Sequence, residues 1–191
     1  VNVKLLKQSE TDQMTGLANR YRLNDYSDKV LDYCYEHRLP LAMEILDIDF
    51  FKQYNDNYGH QQGDECIIAI ADELKKMEDR QTFCARYGGD EFIIIYAGIS
   101  AEEVHAKAGA LRQNIMNLKL EHLYSNALPI VTISQGISYG VPEEGNRSWD
   151  FLHTADMLLY QVKKRSRNDI CIADIRGQEL DLSSKQEKVE P

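Results

Sequence analysis

What this sequence lacks narrows it first. No apolar run approaches the roughly 20 residues a bilayer-spanning helix needs, and no secretory leader pattern is visible, so the expectation is a soluble, cytoplasmic chain without membrane contact of its own. Positive charge is scarce: 22 Lys and Arg stand against 31 Asp and Glu, a net charge of −9. A surface that binds DNA or RNA displaces counterions with a basic footprint, so this balance argues against a nucleic-acid partner. Any bound nucleotide must be held locally, by a metal and a few placed cations. Cysteine is sparse too. Cys34, Cys66, Cys84 and Cys171 fall singly, without zinc or redox spacing, and read as free buried thiols of a reducing compartment. At 191 residues the chain suits one domain with a sizeable core and short extensions.

What is present is most informative at Arg86-Tyr87-Gly88-Gly89-Asp90-Glu91-Phe92, where two glycines and two carboxylates separate β-prone segments at 82–87 and 92–96. The pattern predicts a hairpin, with Gly88 and Gly89 supplying positive φ and Asp90 and Glu91 projecting from the turn. A solvated turn is the plainer alternative. A second acidic site shifts the balance: the apolar run 39–46 predicts a central strand ending in Asp47-Ile48-Asp49-Phe50-Phe51-Lys52. Residues i and i+2 of a strand share a face, so Asp47 and Asp49 can converge on a hard cation. With Asp90 the set suits metal-assisted phosphoryl or nucleotidyl transfer. For Asp49 two readings stay open, metal ligand or N-cap of a following helix. The backbone N–H groups of Phe50, Phe51 and Lys52 suit a phosphate at that helix start.

Apolar periodicity predicts helices over 20–37, 66–77, 104–118 and 151–162, and further strands over 129–137 and 170–173. The order β-α-β-β-α-β matches a split ferredoxin-like unit, hence an α+β, palm-type domain with a mainly antiparallel sheet flanked by helices. The expected organisation is the end of an upstream linker helix at 1–10, one domain over 11–175, and a polar, disordered tail at 176–191.

These residues carry a resemblance. Asp12-Gln13-Met14-Thr15-Gly16-Leu17-Ala18-Asn19-Arg20, the 47–52 block with Asn55, Gly59-His60 and Gly63-Asp64, the 86–92 block, and Tyr160-Gln161-Val162-Lys163 with Arg167-Asn168 resemble the GGDEF-domain diguanylate cyclases, in that family's order and near its spacing. The resemblance implies condensation of two GTP into cyclic di-GMP with release of two pyrophosphates, each GTP presented by one subunit of a transient homodimer. It implies Mg²⁺ or Mn²⁺ on Asp47, the Ile48 carbonyl, Asp90 and Glu91, with Asp47, Asp90 and Glu91 catalytic. Asn55 and Asp64 would read guanine. Lys52, Lys163 and Arg167 would meet the triphosphate, the last two four apart and so expected on one helix face, with Phe50, Phe51, Gly88 and Gly89 also at the substrate. An upstream sensor domain is the expected partner in a longer protein.

Two departures from the family pattern stand out. The positions of its Arg-x-x-Asp product-inhibition motif hold Asp79 and Thr82, so no inhibitory site is expected there, and Gln135 replaces a usual apolar residue. Rival readings are a catalytically idle domain binding GTP or cyclic di-GMP, and a cyclase of relaxed base specificity. His60 reads as a structural hydrogen-bonder, while His37, His105, His122 and His153 show no partner pattern.

Overall fold

Eight consecutive positions, Leu41–Ile48, are buried on both faces, and that is why a nearly unbroken apolar run forms the central strand β1. The structure, a computed structural model, describes residues 9–180 and 182. Helix α1 (Arg20–His37) precedes β1; α2 (Phe51–Tyr58) and α3 (His60–Met77) follow it, then β2 (Thr82–Gly88), β3 (Glu91–Ala97), α4 (Ala101–Asn117), β4 (Ile133–Gly140), α5 (Ser148–Arg165) and β5 (Ile170–Asp174). The sheet order is β2-β3-β1-β4-β5, antiparallel except for the parallel β4–β5 pair. This is the expected α+β, ferredoxin-like arrangement with one added edge strand. No helix among the described residues is long and apolar enough to cross a membrane.

Alternation along the strands divides the core. Ala42, Leu46, Ile48, Phe92 and Ile94 face α2, α3 and α4, while Leu41, Met43, Ile45, Ile93 and Ile95 face α1 and α5. Helix α5 packs so closely on β4 that a β-carbon at Gly136 would overlap the Ala155 carbonyl and the Leu159 amide. Gln135, beside it, is buried and donates from Nε2 to the Ala108 carbonyl at 3.1 Å, tying β4 to α4. All four cysteines are buried and free.

Three expectations need correction. Gly88 and Gly89 do not adopt positive φ. The two-residue turn is Gly89-Asp90, with a bulge between Arg86 and Gly88, so Asp90 sits in the turn itself. Helix α5 stops at Arg165, and Arg167 and Asn168 lie beyond it at φ 52° and 44°, so Lys163 and Arg167 do not share a helix face. The expected disordered tail falls mostly outside the described residues, but 176–180 return along β5, with Glu179 bridged to Ala173 and Leu180 packed on the core. The linker expected at 1–10 is described only at residues 9 and 10, which are not helical.

One charge sits where an apolar side chain is the norm. Glu44, in mid-β1, is fully buried; Tyr96 donates to Oε1 at 2.9 Å and Oε2 has no partner. Burial raises its carboxyl from 4.5 to about 8, against the opposing Tyr96 hydrogen bond. Between those values the folded chain holds a proton that the unfolded chain releases, so stability falls as pH rises through that window. Glu44→Gln is expected to remove this slope. In a thermal unfolding series its midpoint should match the parent near pH 5 and exceed it near about pH 8.5; parallel curves would refute the account.

Candidate active site

The chain ends of β1 and the β2–β3 hairpin meet at one rim of the sheet. Asp47 pairs in register with Glu91 of β3 and Ser134 of β4, and Asp90 occupies the adjoining turn. The hairpin tip is braced from behind. Asp12 accepts from the Thr15 backbone and hydroxyl at 3.0 and 2.7 Å and from Arg86 Nη1 at 3.4 Å. Arg86 also donates from Nε and Nη2 to the Gly89 carbonyl, at 3.2 and 2.9 Å. Burial pushes the Asp12 carboxyl up, but the Thr15 hydrogen bonds and the Arg86 guanidinium outweigh it and hold the group below its ordinary range. An arginine two residues before a glycine pair is a readable signal for such a brace; its distant partner Asp12 is not.

Asp47 is buried, with Lys163 Nζ donating to Oδ2 and Oδ1 left without a partner. Burial, then the closeness of the Asp47 carboxylate, raise the Asp90 carboxyl to about 7. Glu91 is raised as well, by burial and by Asp47, with Lys163 opposing. Like charges forced together around an unpartnered oxygen suit a cation. Among the described residues no group of three His, Cys, Asp or Glu side chains is gathered for a metal. The Asp47 and Asp90 carboxylates are the acids brought against each other here, and their chemistry fits a hard divalent ion that takes its remaining ligands from water or phosphate.

A cleft of about 450 Å³ opens beside Asp90, lined by Phe51, Lys52, Asn55, Asp64, Arg86 and Gly89 among others. Sequence-predicted residues from two helices and the hairpin thus share one space. Its floor includes the start of α2, where Phe50 caps the helix at φ 54° with no side-chain hydrogen bond, leaving first-turn N–H groups for an anion. Glu91 and Lys163 line a neighbouring hollow of about 270 Å³ with Asp156 and Tyr160, so Asp47 stands between the two spaces. Gly88 ends β2 opposite Glu91.

Asp49 fills neither role left open for it. Fully buried, it accepts from Thr132 Oγ1 at 2.8 Å, Ser134 Oγ at 2.5 Å and the Asn168 backbone at 2.9 Å, and Arg167 Nη1 lies 3.7 Å away. It is a bolt between β1, β4 and the segment after α5. Arg167 also stacks over the Phe50 ring at 4.2 Å, which brings it to the start of α2 by a route other than helical spacing. His122 is a further residue the sequence did not reveal: it is buried, its Nε2 lies 3.0 Å from the Phe50 carbonyl, and its ring packs edge-on against Tyr54.

The family model described as "Diguanylate cyclase, GGDEF domain" matches residues 9–169. The probable diguanylate cyclase DgcC of Escherichia coli K12 is 34% identical over 168 residues, covering 86% of this chain and 43% of that protein. Diguanylate cyclase A of Treponema denticola is 31% identical over 179 residues, covering 90% and 46%. The chain thus spans less than half the length of these relatives. Among solved structures, the GGDEF domain of DgcB from Caulobacter crescentus in complex with c-di-GMP is similar with a TM-score of 0.78 at 30% identity, over 87% of this chain and 94% of that one.

Proposed function

This chain belongs to the GGDEF family, and from that premise we propose that it is a diguanylate cyclase domain, condensing two GTP into cyclic di-GMP and two pyrophosphates. The observation that carries the reading is the pressing of Asp90 against Asp47 at the mouth of a cleft that also holds Asn55 and Asp64. In each half-reaction a 3′-oxygen bonds to the α-phosphorus of the facing GTP, the bond from that phosphorus to the α–β bridging oxygen breaks, and the hydroxyl proton leaves. Bound Mg²⁺ or Mn²⁺ would offset phosphate charge and activate the attacking oxygen, held by Asp47, Asp90 and the Ile48 carbonyl.

The chain's own groups do the rest. Asp64 is an acceptor for the guanine N1–H and N2–H donors, and Asn55 supplies an amide beside it. Lys52, Arg167 and the N–H groups opening α2 face the phosphates. Lys163, which neutralises Asp47 in the free protein, is the nearest mobile cation to a triphosphate entering beside Asp47. Glu91, whose proton affinity burial and Asp47 raise, joins this acidic cluster at the attacking hydroxyl. One cleft presents one GTP, so the reaction takes two copies of the domain, brought together by a sensor portion of a longer protein. The Asp79 and Thr82 positions are engaged by Lys107, whose Nζ lies 3.2 Å from Asp79 Oδ2 and 3.0 Å from Thr82 Oγ1. That engagement supports the absence of a product site there.

The test is incubation with GTP, with ATP and with both, in Mg²⁺, followed by mass spectrometry and initial rates over a dilution series. Cyclic di-GMP from GTP alone is expected, with the rate approaching second order in protein at low concentration. Bound GTP without product would favour an idle regulatory domain; mixed dinucleotides would mean relaxed base choice.

A further inference from the structure

Gly63 lies in the first turns of α3, donating its N–H to the Gly59 carbonyl at 3.0 Å, and its φ is not in the positive range. Nothing in the backbone therefore requires glycine, and in a helix glycine costs about 1 kcal/mol relative to alanine. The reason lies across the α2–α3 corner. A β-carbon at Gly63 would overlap Asn55 Oδ1, come within 3.0 Å of Asn55 Cγ and stand 3.4 Å from Phe51 Cζ. Asn55 Oδ1 is buried there without a hydrogen-bond partner, while Asn55 itself lines the cleft with Asp64.

We infer that Gly63 is a positioning residue for base selection: it provides the notch that receives the Asn55 amide oxygen and so turns the amide nitrogen toward the nucleotide. The inference rests on the reading of Asn55 and Asp64 as guanine contacts. An asparagine amide can offer either a donor or an acceptor. With its oxygen lodged on Gly63, Asn55 presents a donor beside the Asp64 acceptor. Guanine complements that order with its O6 acceptor next to the N1–H and N2–H donors; adenine presents the reverse, an amino donor next to the N1 acceptor. A methyl group in the notch displaces only the end of a flexible side chain, so the fold accommodates it and α3 gains helix propensity. The cost falls on the orientation of the amide.

The test is a binding cycle with Gly63→Ala, Asn55→Ala and the double variant, using calorimetric titration of methylene-bridged GTP and ATP analogues in Mg²⁺ alongside thermal unfolding. Gly63→Ala is expected to melt at or above the parent temperature, to bind the guanine analogue about tenfold more weakly, and to leave adenine binding little changed. The double variant should be no weaker than Asn55→Ala alone, because the methyl acts through the amide. Parent-like guanine binding by Gly63→Ala, when Asn55→Ala is impaired, overturns the inference alone, as would losses that simply add. Parent-like binding by Asn55→Ala removes the guanine-contact reading and the inference with it.

Discussion

Asp90→Asn is expected to eliminate cyclase activity, lowering turnover by roughly a thousandfold or more, while leaving the fold at least as stable as the parent. The two halves of that expectation have one cause. The Asp90 carboxyl is raised to about 7 because it is buried against Asp47, so its ionised form is costly to the folded protein. A neutral amide of the same shape relieves that cost, increasingly as pH rises through about 7. The same repulsion is what a divalent ion would convert into binding. Removing one of two side-chain ligands leaves charge on the transferring phosphate uncompensated. Asp47→Ala should be equally inactive but less benign, because Lys163 loses the carboxylate it contacts. Turnover and thermal midpoints of both variants decide the matter; activity within a few-fold of the parent would refute the assignment of these acids.

The sheet was legible because its inner strands are buried on both faces. Apart from Glu44, the runs 41–46 and 92–96 are built of apolar and aromatic residues, the composition of strands covered on both faces. Legibility fails where local pattern yields to distant contacts. The sequence reads as a strand from 129, yet β4 starts at Ile133, and Ile130 instead bridges to Glu121. Before β4, the Pro129 carbonyl accepts from the His122 backbone, Val131 donates to Leu120, and the Thr132 hydroxyl is turned onto Asp49. The helical spacing of Lys163 and Arg167 misleads for the same reason. The Asn168 amide is drawn to Asp49, 119 residues earlier in the chain, and the turn this imposes ends α5. At the site, acids and glycines at fixed spacing were visible. The brace from Arg86 to Asp12 and the notch at Gly63 were not, since each depends on a partner that only the folded chain supplies.

Asp49 gives the second large effect, and it separates architecture from chemistry. Its carboxylate receives two hydroxyls and one backbone amide while fully buried. Asp49→Ala leaves all three donors without an acceptor and Arg167 without its nearest acid, a loss of about 3–5 kcal/mol. Against the roughly 5–15 kcal/mol that typically holds a domain together, about a fifth or more of the stability is at stake. Asp49→Asn should be much milder, because the arrangement allows one sensible orientation of the amide. Its oxygen can keep the Thr132 hydroxyl and the Asn168 N–H, a group that only donates, while its nitrogen faces Ser134, whose hydroxyl can turn to accept. A metal ligand would give the opposite pattern, with both replacements abolishing metal-dependent turnover and neither unfolding the chain. Urea denaturation midpoints read with residual turnover distinguish the two. We expect Asp49→Ala to be largely unfolded or inactive through loss of the Phe50–Arg167 corner, and Asp49→Asn to keep most of both. An inactive but fully stable Asp49→Asn would return Asp49 to the metal.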